Sequence, residues 1–471
     1  MSRSEQGAAS GYCLSRRHLL GSAALFALSS CGPSDWLLGA VSTPSGMDPL
    51  PGEDRDFSWH VLDRCTYGAR AGERAALLAG GFDSWLETQL RNEPDRATER
   101  LLNDFDVLHA PAGEAFEWKP RVVQEEVIRG TLLRAVYGRD QLREVVASCW
   151  GDQFNVGAGK GDVAWLVAAY DRDVIRTHTL GSYTELLRTS VTHPAMLWYL
   201  DGRTNRSEHP NENHARELLE LHSLGVNAGY TQHDVMEVAR CLSGWTVRGK
   251  ERLKKGAVEF APELHDNGRK IVLGTVIPAG LGAADVDRVV AIVAAHPATA
   301  ERIATRLCSR FIADPPPRSA VDDVTAAFIQ HAGDLRETVR AVLQHPTFHD
   351  PAIRGGKLKR PLHYLASCLR VLDVRTHAEA PLVEALARMG ESPYQHPTPE
   401  GYPERASAWT GTLWWRWRAA YDLAHAHDVT LDPLLVFGRQ PTSAEKTALA
   451  GVLDPAERRT ILLASPTFQR C

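Results

Sequence analysis

The feature that most constrains the fold of this chain is a helical periodicity that runs through almost all of it after about residue 57. Apolar side chains recur at spacings of three and four residues, the pattern of helices with one buried face. The predicted helices cover residues 57–66, 71–79, 82–91, 120–137, 139–150, 162–175, 182–190, 211–224, 232–242, 285–295, 298–312, 319–331, 334–344, 361–373, 379–389, 409–424, 442–452 and 455–464. Thr231 with Asp234, and Asp334 with Glu337, have the spacing of helix N-caps. We therefore expect a mainly α, multi-helix globular domain.

One region departs from this periodicity and predicts a small β-hairpin excursion at residues 245–273. The short runs Trp245–Val247, Ala257–Phe260 and Lys270–Leu273 are β-branched or alternate between polar and apolar residues. Turn-forming residues, among them Asn267-Gly268, separate the runs. We expect two or three strands packed on the helical body.

An export signal is predicted at the N-terminus. Arg16 and Arg17 precede an apolar run from Leu19 to Ser30, and Cys31 follows small residues at its end. Paired arginines before a short apolar stretch are a receptor-read export address for folded proteins, and the run is shorter than the roughly 20 residues of a spanning helix. Residues 1–31 are therefore predicted to be a twin-arginine, lipoprotein-type signal, cleaved before Cys31, which carries a lipid. The alternative is an ordinary signal in which Cys31 is incidental.

The rest of the chain divides into a tether and a domain. Residues 32–54 are rich in Pro, Ser and Gly, as flexible tethers are. Residues 55–471 are long enough for a single large helical domain or two fused subdomains, of which we favour the first. The net charge is -5 with both signs interspersed, so no basic stripe favours nucleic acid. We expect an exported protein of the periplasm or cell surface, held at the membrane by its lipid anchor.

The cysteines give no indication of a metal site. The chain has 8 of them, and those beyond Cys31 lie far apart without a Cys-x-x-Cys pair, which argues against a thiolate zinc site. We expect most of them to be small buried hydrophobes.

The densest polar run lies on the predicted helix 211–224. On a helix of about 100° per residue, Glu212, Asn213, Arg216, Glu217 and Glu220 share one arc. Arg216 is four residues from both Glu212 and Glu220, the spacing of an ion-pair ladder. The run is therefore either a solvated helix face or part of a polar site.

Flanking residues favour the polar site. Candidate catalytic residues are Glu217 and Glu220 as acid, base or ligand groups, Arg216 to orient an anion, and His193 and His265 for proton transfer. Candidate substrate-binding residues are Asn211, Asn213, Asp266 and Trp245. A divalent metal is a candidate cofactor because carboxylates and amides bind hard cations, although the sequence carries no metal signature such as His-Glu-x-x-His. His265 to Gly268 also fits a plain hairpin turn.

Two other runs have structural and functional interpretations. Trp414, Trp415 and Trp417 are interleaved with arginines, which suits a sugar or lipid platform, but core packing is favoured because consecutive residues point around a helix. The basic run Lys357–Pro361 favours a structural element over an anion site.

Together these segments resemble a bacterial family known as domain of unknown function 1800. The resemblance spans roughly residues 57–470 and is most specific at Asn211–Gly225. The matching motifs are Arg64–Gly68 with Gly72-Glu73, Trp150 with Phe154–Val156, Leu180–Tyr183, His193–Leu197, Asn211–Gly225, Tyr230-Thr231, Asp234, Ala239-Arg240, Ser243–Trp245, His265-Asp266 with Gly268, Lys357–Pro361, Met389-Gly390, Pro393 and Gly401–Pro403.

The resemblance implies a secreted, mostly helical protein that is often encoded beside an exported sulfatase- or phosphatase-like protein, which is the expected partner. It implies no reaction. The chain departs from the family pattern where relatives tend to carry histidines after the tryptophan, because Gly151 and Gln153 stand there. Any metal site built on those histidines would be altered or lost here.

Two functions follow as hypotheses. The first is an exported cell-envelope enzyme with a polar, cation-assisted pocket. The second is a non-catalytic accessory or scaffold protein that binds the exported sulfatase-like partner or an envelope polymer. A shared, solvent-reachable pocket around Arg216, Glu217, His193 and His265 would favour the first.

Overall fold

The computed structural model describes residues 55–91, 93, 95–249 and 254–471. The predicted signal of residues 1–31, with Cys31, and the predicted tether of residues 32–54 lie outside this part of the chain. Within it, one cluster of buried apolar side chains extends from Trp59 to Phe468. The first and last described helices therefore share one core.

The described chain is mainly α-helical, which confirms the predicted fold class. Its α-helices are Phe57–Cys65, Glu73–Gly80, Phe82–Leu90, Arg96–Leu101, Asp106–His109, Pro120–Tyr137, Gln141–Gln153, Val163–Tyr170, Tyr183–Thr192, Pro194–Tyr199, Glu212–Glu217, Gln232–Cys241, Asp285–Ala294, Pro297–Phe311, Arg318–Gln330, Leu335–Gln344, Pro346–His349, Pro361–Val371, Ala380–Met389, Leu413–Ala426, Pro433–Phe437, Ser443–Ala450 and Pro455–Ala464. Short 3-10 helices are Glu114–Glu117, Gly202–Thr204, Pro262–Leu264, Gly282–Ala284, Pro351–Ile353, Ala406–Ala408 and Thr410–Thr412.

Two helices begin at the predicted caps. The Thr231 hydroxyl accepts from the Asp234 amide at 3.2 Å, and the Asp234 carboxylate accepts from the Thr231 amide at 2.8 Å. The Asp334 carboxylate accepts from the Glu337 amide at 3.1 Å. Both contacts satisfy backbone donors that a helix start leaves unpaired.

Three other helices begin at a His-Pro pair. The histidine Nδ1 accepts a hydrogen bond from the backbone N–H two residues later, and the proline takes the first helical position, where its missing N–H is not needed. The pairs are His193 with Ala195 at 3.1 Å, His296 with Ala298 at 3.2 Å and His345 with Thr347 at 3.1 Å. Imidazole thus serves as the N-cap acceptor in place of Ser, Thr, Asp or Asn.

The helix predicted over residues 211–224 changes type half-way. The α-helix Glu212–Glu217 continues as a π-helix over Leu218–His222. A second π-helix, Asp171–Arg176, follows Val163–Tyr170. Such π-helical turns are rare in proteins as a whole, and those that occur are often found at functional sites.

The β excursion consists of two separate antiparallel hairpins. Strand β1 (Trp245–Val247) pairs with β2 (Val258–Phe260), and β3 (Lys270–Val272) pairs with β4 (Thr275–Ile277). The last strand was not predicted, and β3 does not join the first two strands. Leu273 and Gly274 form the two-residue turn with φ of 49° and 75°, the conformation of a type I′ turn.

Burial of the cysteines agrees with the sequence. Cys65, Cys149, Cys241, Cys308, Cys368 and Cys471 are all buried and unpaired. None of the described helices combines the length and apolar composition needed to cross a membrane.

Candidate functional site

A buried ion-pair cluster joins segments that are far apart in the sequence. Arg360 donates to Asp152 at 2.6 Å, to Glu404 at 3.0 Å and to Glu391 at 2.8 Å. Arg310 lies 3.1 Å from Glu404. Burial would raise the pKa of Glu404, but the surrounding cations, Arg310 foremost, hold it far below its usual range. Buried charges persist when they are paired in this way, so the cluster fixes the 391–404 segment to the helices. The basic run Lys357–Pro361 contributes Arg360 to it, in agreement with the structural interpretation.

A second buried network lies beside a small cavity. Arg176 bridges Asp171 at 2.5 Å and Glu144 at 2.7 Å, and the Tyr394 hydroxyl donates to Asp171 at 2.7 Å. The cavity of about 40 Å³ between the networks has room for a water rather than a substrate. Gly151 borders it, and a Cβ there would lie 3.7 Å from the Tyr394 hydroxyl oxygen.

A cleft of about 570 Å³ opens on the surface beside these networks. It lies between the turn at residues 224–228, the helix Pro297–Phe311 and the end of the 391–404 segment. We call it the arginine cleft; its walls are Gln153, Leu224, Gly225, Val226, Asn227, Ala228, Ala298, Glu301, Arg302, Thr305, Arg306, Ser309, Asp314, Glu404 and Arg405. Its volume falls within the roughly 300–1,000 Å³ of small-molecule sites.

Arg302 is positioned in this cleft by the π-helix. The Leu221 carbonyl accepts from Arg302 Nε at 2.9 Å and from Gln153 Nε2 at 2.6 Å. Arg306, one turn further along the helix, lies 3.4 Å from the Cys149 carbonyl and 3.9 Å from Asp152. Burial and the neighbouring charge of Arg306 lower the pKa of Arg302. Two guanidinium groups at this spacing favour a negative charge between them.

Glu217 and Glu220, two predicted catalytic residues, lie close together on the half-exposed side of their helix. Burial, then the charges of Glu220 and Glu400, raise the pKa of Glu217, while Arg216 opposes the shift. Glu220 also acts electrostatically on Arg302. These carboxylates therefore form an acidic neighbour of the arginine cleft.

Arg216 forms half of the predicted ladder. It donates to Glu212 at 3.1 Å and to Gln232 at 2.8 Å. No ion pair with Glu220 is present among the described residues, because the backbone leaves α geometry at Leu218. The pair with Glu212 is half-exposed, and such pairs contribute little to stability.

The two predicted substrate-binding amides hold the local backbone. Asn211 donates to the Asp201 carbonyl at 3.1 Å, and its side chain accepts from the Asn213 amide at 3.0 Å. Asn213 donates to the Leu200 carbonyl at 3.1 Å. Both side chains tie the helix Glu212–Glu217 to the preceding turn.

His193 is one of the three His-Pro caps. Its ring is buried and packs edge-on against Tyr170, with ring centroids 5.1 Å apart. Burial lowers the pKa of His193 to about 3. The same cap at His296 and His345 shows that the arrangement is a recurring helix start.

His265 belongs to a closed network. One ring nitrogen lies 2.8 Å from the Ser243 carbonyl and the other 3.1 Å from Asp285. The Lys270 ammonium also contacts Asp285, at 2.5 Å, and all three side chains are 0% exposed. Both ring nitrogens are therefore occupied inside the protein.

Asp266 and Trp245 also have structural partners. Arg240 donates to both Asp266 oxygens, at 2.7 and 3.1 Å, and this bidentate contact is foremost in lowering the pKa of Asp266. Trp245 pairs across β1 and β2 with Phe260, ring centroids 5.4 Å apart. The Arg240–Asp266 contact thereby ties the segment between the two hairpins to the helix Gln232–Cys241.

The hydrogen-bond partners of the His193 and His265 rings are Ala195, Ser243 and Asp285, which lie outside the 211–222 segment. In the part of the chain that the structure describes, no hydrogen bond or ion pair joins His193 or His265 to Arg216, Glu217 or Glu220. No three His, Cys, Asp or Glu side chains of those described residues are arranged to hold a metal ion. The roles assigned to these residues stay predictions.

Sequence reasoning missed the arginine cleft. Arg302, Arg306 and Arg310 recur every four residues and so line one helix face. That four-residue spacing was the available signal, but it also fits an ordinary solvated helix face. The turn at residues 224–228 is brought opposite this face by the tertiary fold.

One comparison with known proteins gives a match. A family model described as "Protein of unknown function (DUF1800)" matches residues 60–470. No curated protein and no solved structure matches the chain.

Proposed function

This chain belongs to the DUF1800 family, and on that premise we propose that it is an exported cell-envelope protein whose arginine cleft binds an anionic group of an envelope polymer. The proposal concerns binding rather than catalysis, and it follows the second hypothesis, that of a non-catalytic accessory or scaffold protein. Its export half rests on Arg16-Arg17 and Cys31.

The observation that carries the binding proposal is the unused donor capacity of Arg302. A guanidinium has five N–H donors, and the one hydrogen bond of Arg302 comes from Nε. Within residues 55–91, 93, 95–249 and 254–471, neither Nη atom has a hydrogen-bond partner or an ion pair. Since Arg302 borders the cleft, these donors are available to a ligand.

The carboxylates at the cleft do not cancel this charge. The negative charge of Glu404 is balanced by its ion pairs with Arg310 and Arg360. Glu301 pairs with Arg318 at 2.5 Å. Among the lining residues, Asp314 remains against Arg302 and Arg405, while Arg306 lies 3.9 Å from Asp152 and Glu220 acts on Arg302 from outside the lining. A carboxylate, sulfate or phosphate group on a larger polar molecule therefore suits both the charge and the volume.

Binding is tested by calorimetric titration with polygalacturonate and, separately, inorganic sulfate. Arg302→Gln is expected to weaken binding about tenfold or more, because hydrogen bonds to charged groups contribute roughly 1.5–3 kcal/mol. Arg188→Gln removes a half-exposed arginine that pairs with Asp287 outside the cleft and is the matched control. Equal loss in both variants, or no binding by the unsubstituted chain, would contradict the proposal.

Export is tested in cells. Arg16→Lys with Arg17→Lys is expected to retain the chain in the cytoplasm, and Cys31→Ser to release it from the membrane fraction. Unchanged fractionation of both variants would refute the signal assignment while leaving the binding test intact.

A further inference from the structure

The helix Leu413–Ala426 exposes a row of aromatic side chains. Trp414 is 66% exposed, Trp417 48% and Tyr421 46%. Core packing was predicted for this tryptophan run and is wrong for Trp414 and Trp417. Trp415 instead packs against the core and lies under the Arg388 guanidinium, 4.9 Å from its ring centre.

The exposed rings lie along one side of the helix. At about 100° per residue, positions 414, 417 and 421 fall within an arc of roughly 60°, and at about 1.5 Å per residue they extend over roughly 10 Å. This length suits a ligand that is elongated and repeats a flat face, such as a short oligosaccharide.

A groove of about 280 Å³ runs beside this row, between Leu413–Ala426 and Ala380–Met389. Two ion pairs border it: Arg388 with Glu384 at 2.5 Å and Arg418 with Asp422 at 3.0 Å. All four side chains are about half exposed. The groove therefore offers N–H donors and carboxylate acceptors without net charge.

We propose that this groove and the exposed rings of Trp414, Trp417 and Tyr421 bind a neutral oligosaccharide. The C–H face of a sugar ring is apolar and stacks on an aromatic ring, while its hydroxyl rim donates and accepts hydrogen bonds. The Trp414 and Trp417 rings supply the apolar surface, and Tyr421, which is stacked on His425 with ring centroids 3.8 Å apart, extends the row. The two ion pairs supply matching polar groups.

Charge decides between this occupant and others. A membrane-surface helix carries mainly Lys and Arg on its polar face, whereas here each arginine has an adjacent carboxylate. An anionic polymer would find no excess of positive charge in this groove, whereas the arginine cleft has one. A neutral polyhydroxyl ligand meets neither objection.

The test uses the full chain carrying Cys31→Ser, so that no lipid interferes. Cellohexaose and chitohexaose are titrated by calorimetry and by tryptophan fluorescence. Saturable binding of at least one is expected, and Trp414→Ala and Trp417→Ala are each expected to weaken it roughly two- to twelvefold, from stacking contributions of about 0.5–1.5 kcal/mol. Leu453→Ala, which removes a 94% exposed apolar side chain outside the groove, is expected to bind like the parent chain. Thermal melting shows whether each variant is folded.

Three outcomes would overturn the proposal. One is the absence of saturable binding to both hexasaccharides. Another is binding that persists unchanged in the two tryptophan variants. The third is a parent chain that binds no sugar but binds phosphatidylcholine–phosphatidylglycerol vesicles, or forms a concentration-dependent dimer, and loses that interaction in the two tryptophan variants.

Discussion

The Asp285 network makes the sharpest prediction about stability. Asp285 Oδ2 lies 3.1 Å from His265 and 2.5 Å from the Lys270 ammonium, and water reaches none of the three side chains. Asp285→Asn keeps the shape of the side chain but removes the close partner of the buried lysine charge, whose other carboxylate contact, with Asp266, is at 4.0 Å. Breaking one side of a buried ion pair costs about 3–5 kcal/mol, a large fraction of the roughly 5–15 kcal/mol that stabilises a folded domain.

The same helix supplies a matched control. Asp287 lies two residues further on and pairs at 2.7 Å with Arg188, with both side chains about half exposed. Exposed pairs contribute about 0–1 kcal/mol, so Asp287→Asn is expected to be almost neutral. Combining Asp285→Asn with Lys270→Met removes the stranded charge and is expected to recover about 1–3 kcal/mol of the loss.

The assay is urea unfolding at pH 7, followed by tryptophan fluorescence and far-ultraviolet circular dichroism. The free energy of unfolding comes from the midpoint and the slope of the transition. A loss below about 1 kcal/mol for Asp285→Asn, or equal losses at positions 285 and 287, would refute the reasoning.

The remaining predictions concern two other positions. Burial lowers the pKa of His193 to about 3 in the folded chain. As the pH falls below about 6.5, His193 is therefore protonated in the unfolded chain but not in the folded one, and this difference alone removes about 2 kcal/mol of stability at pH 5. His193→Asn keeps a capping acceptor and is expected to flatten the fall in unfolding free energy between pH 6.5 and 4; an unchanged pH profile would contradict the assignment. Gly401 has φ of 69°, and a Cβ there would lie within 2.2 Å of the Asp152 carbonyl oxygen. Gly401→Ala is expected to cost roughly 1–3 kcal/mol and so to lower the melting temperature by several degrees. Gly411→Ala is the control and is expected to melt like the parent chain, because a Cβ at position 411 meets nothing within 4 Å. Equal melting temperatures of the two variants would contradict the prediction and show that the 391–404 segment adjusts.

Long helices were predictable from the sequence, because their burial follows a simple period. The helix Pro120–Tyr137 has the predicted bounds. The short helices Pro194–Tyr199 and Pro433–Phe437 were missed because one or two turns are too short to show a period. The hairpin of β3 and β4 was missed because its turn is Leu273-Gly274 rather than the Asn-Gly pair that usually marks such turns.

The candidate site was less predictable, for two physical reasons. Spacing along a helix places Glu217 beside Glu220 but does not reveal the π-helix that separates Glu220 from Arg216. Contacts between distant segments, such as Leu221 with Gln153 and Arg302, depend on the tertiary fold. Histidine identity alone does not separate a buried helix cap from a proton-transfer group, since both use the same side chain.

The buried thiols provide a built-in reporter of how often the molecule opens. Burial raises the pKa of Cys241, Cys308 and Cys368 to about 12, and a thiol reacts through its thiolate. Alkylation of these cysteines by a water-soluble reagent must therefore wait for local or global opening. The modification rate of each, read by mass spectrometry, would rank the surrounding helices by the free energy of their transient exposure.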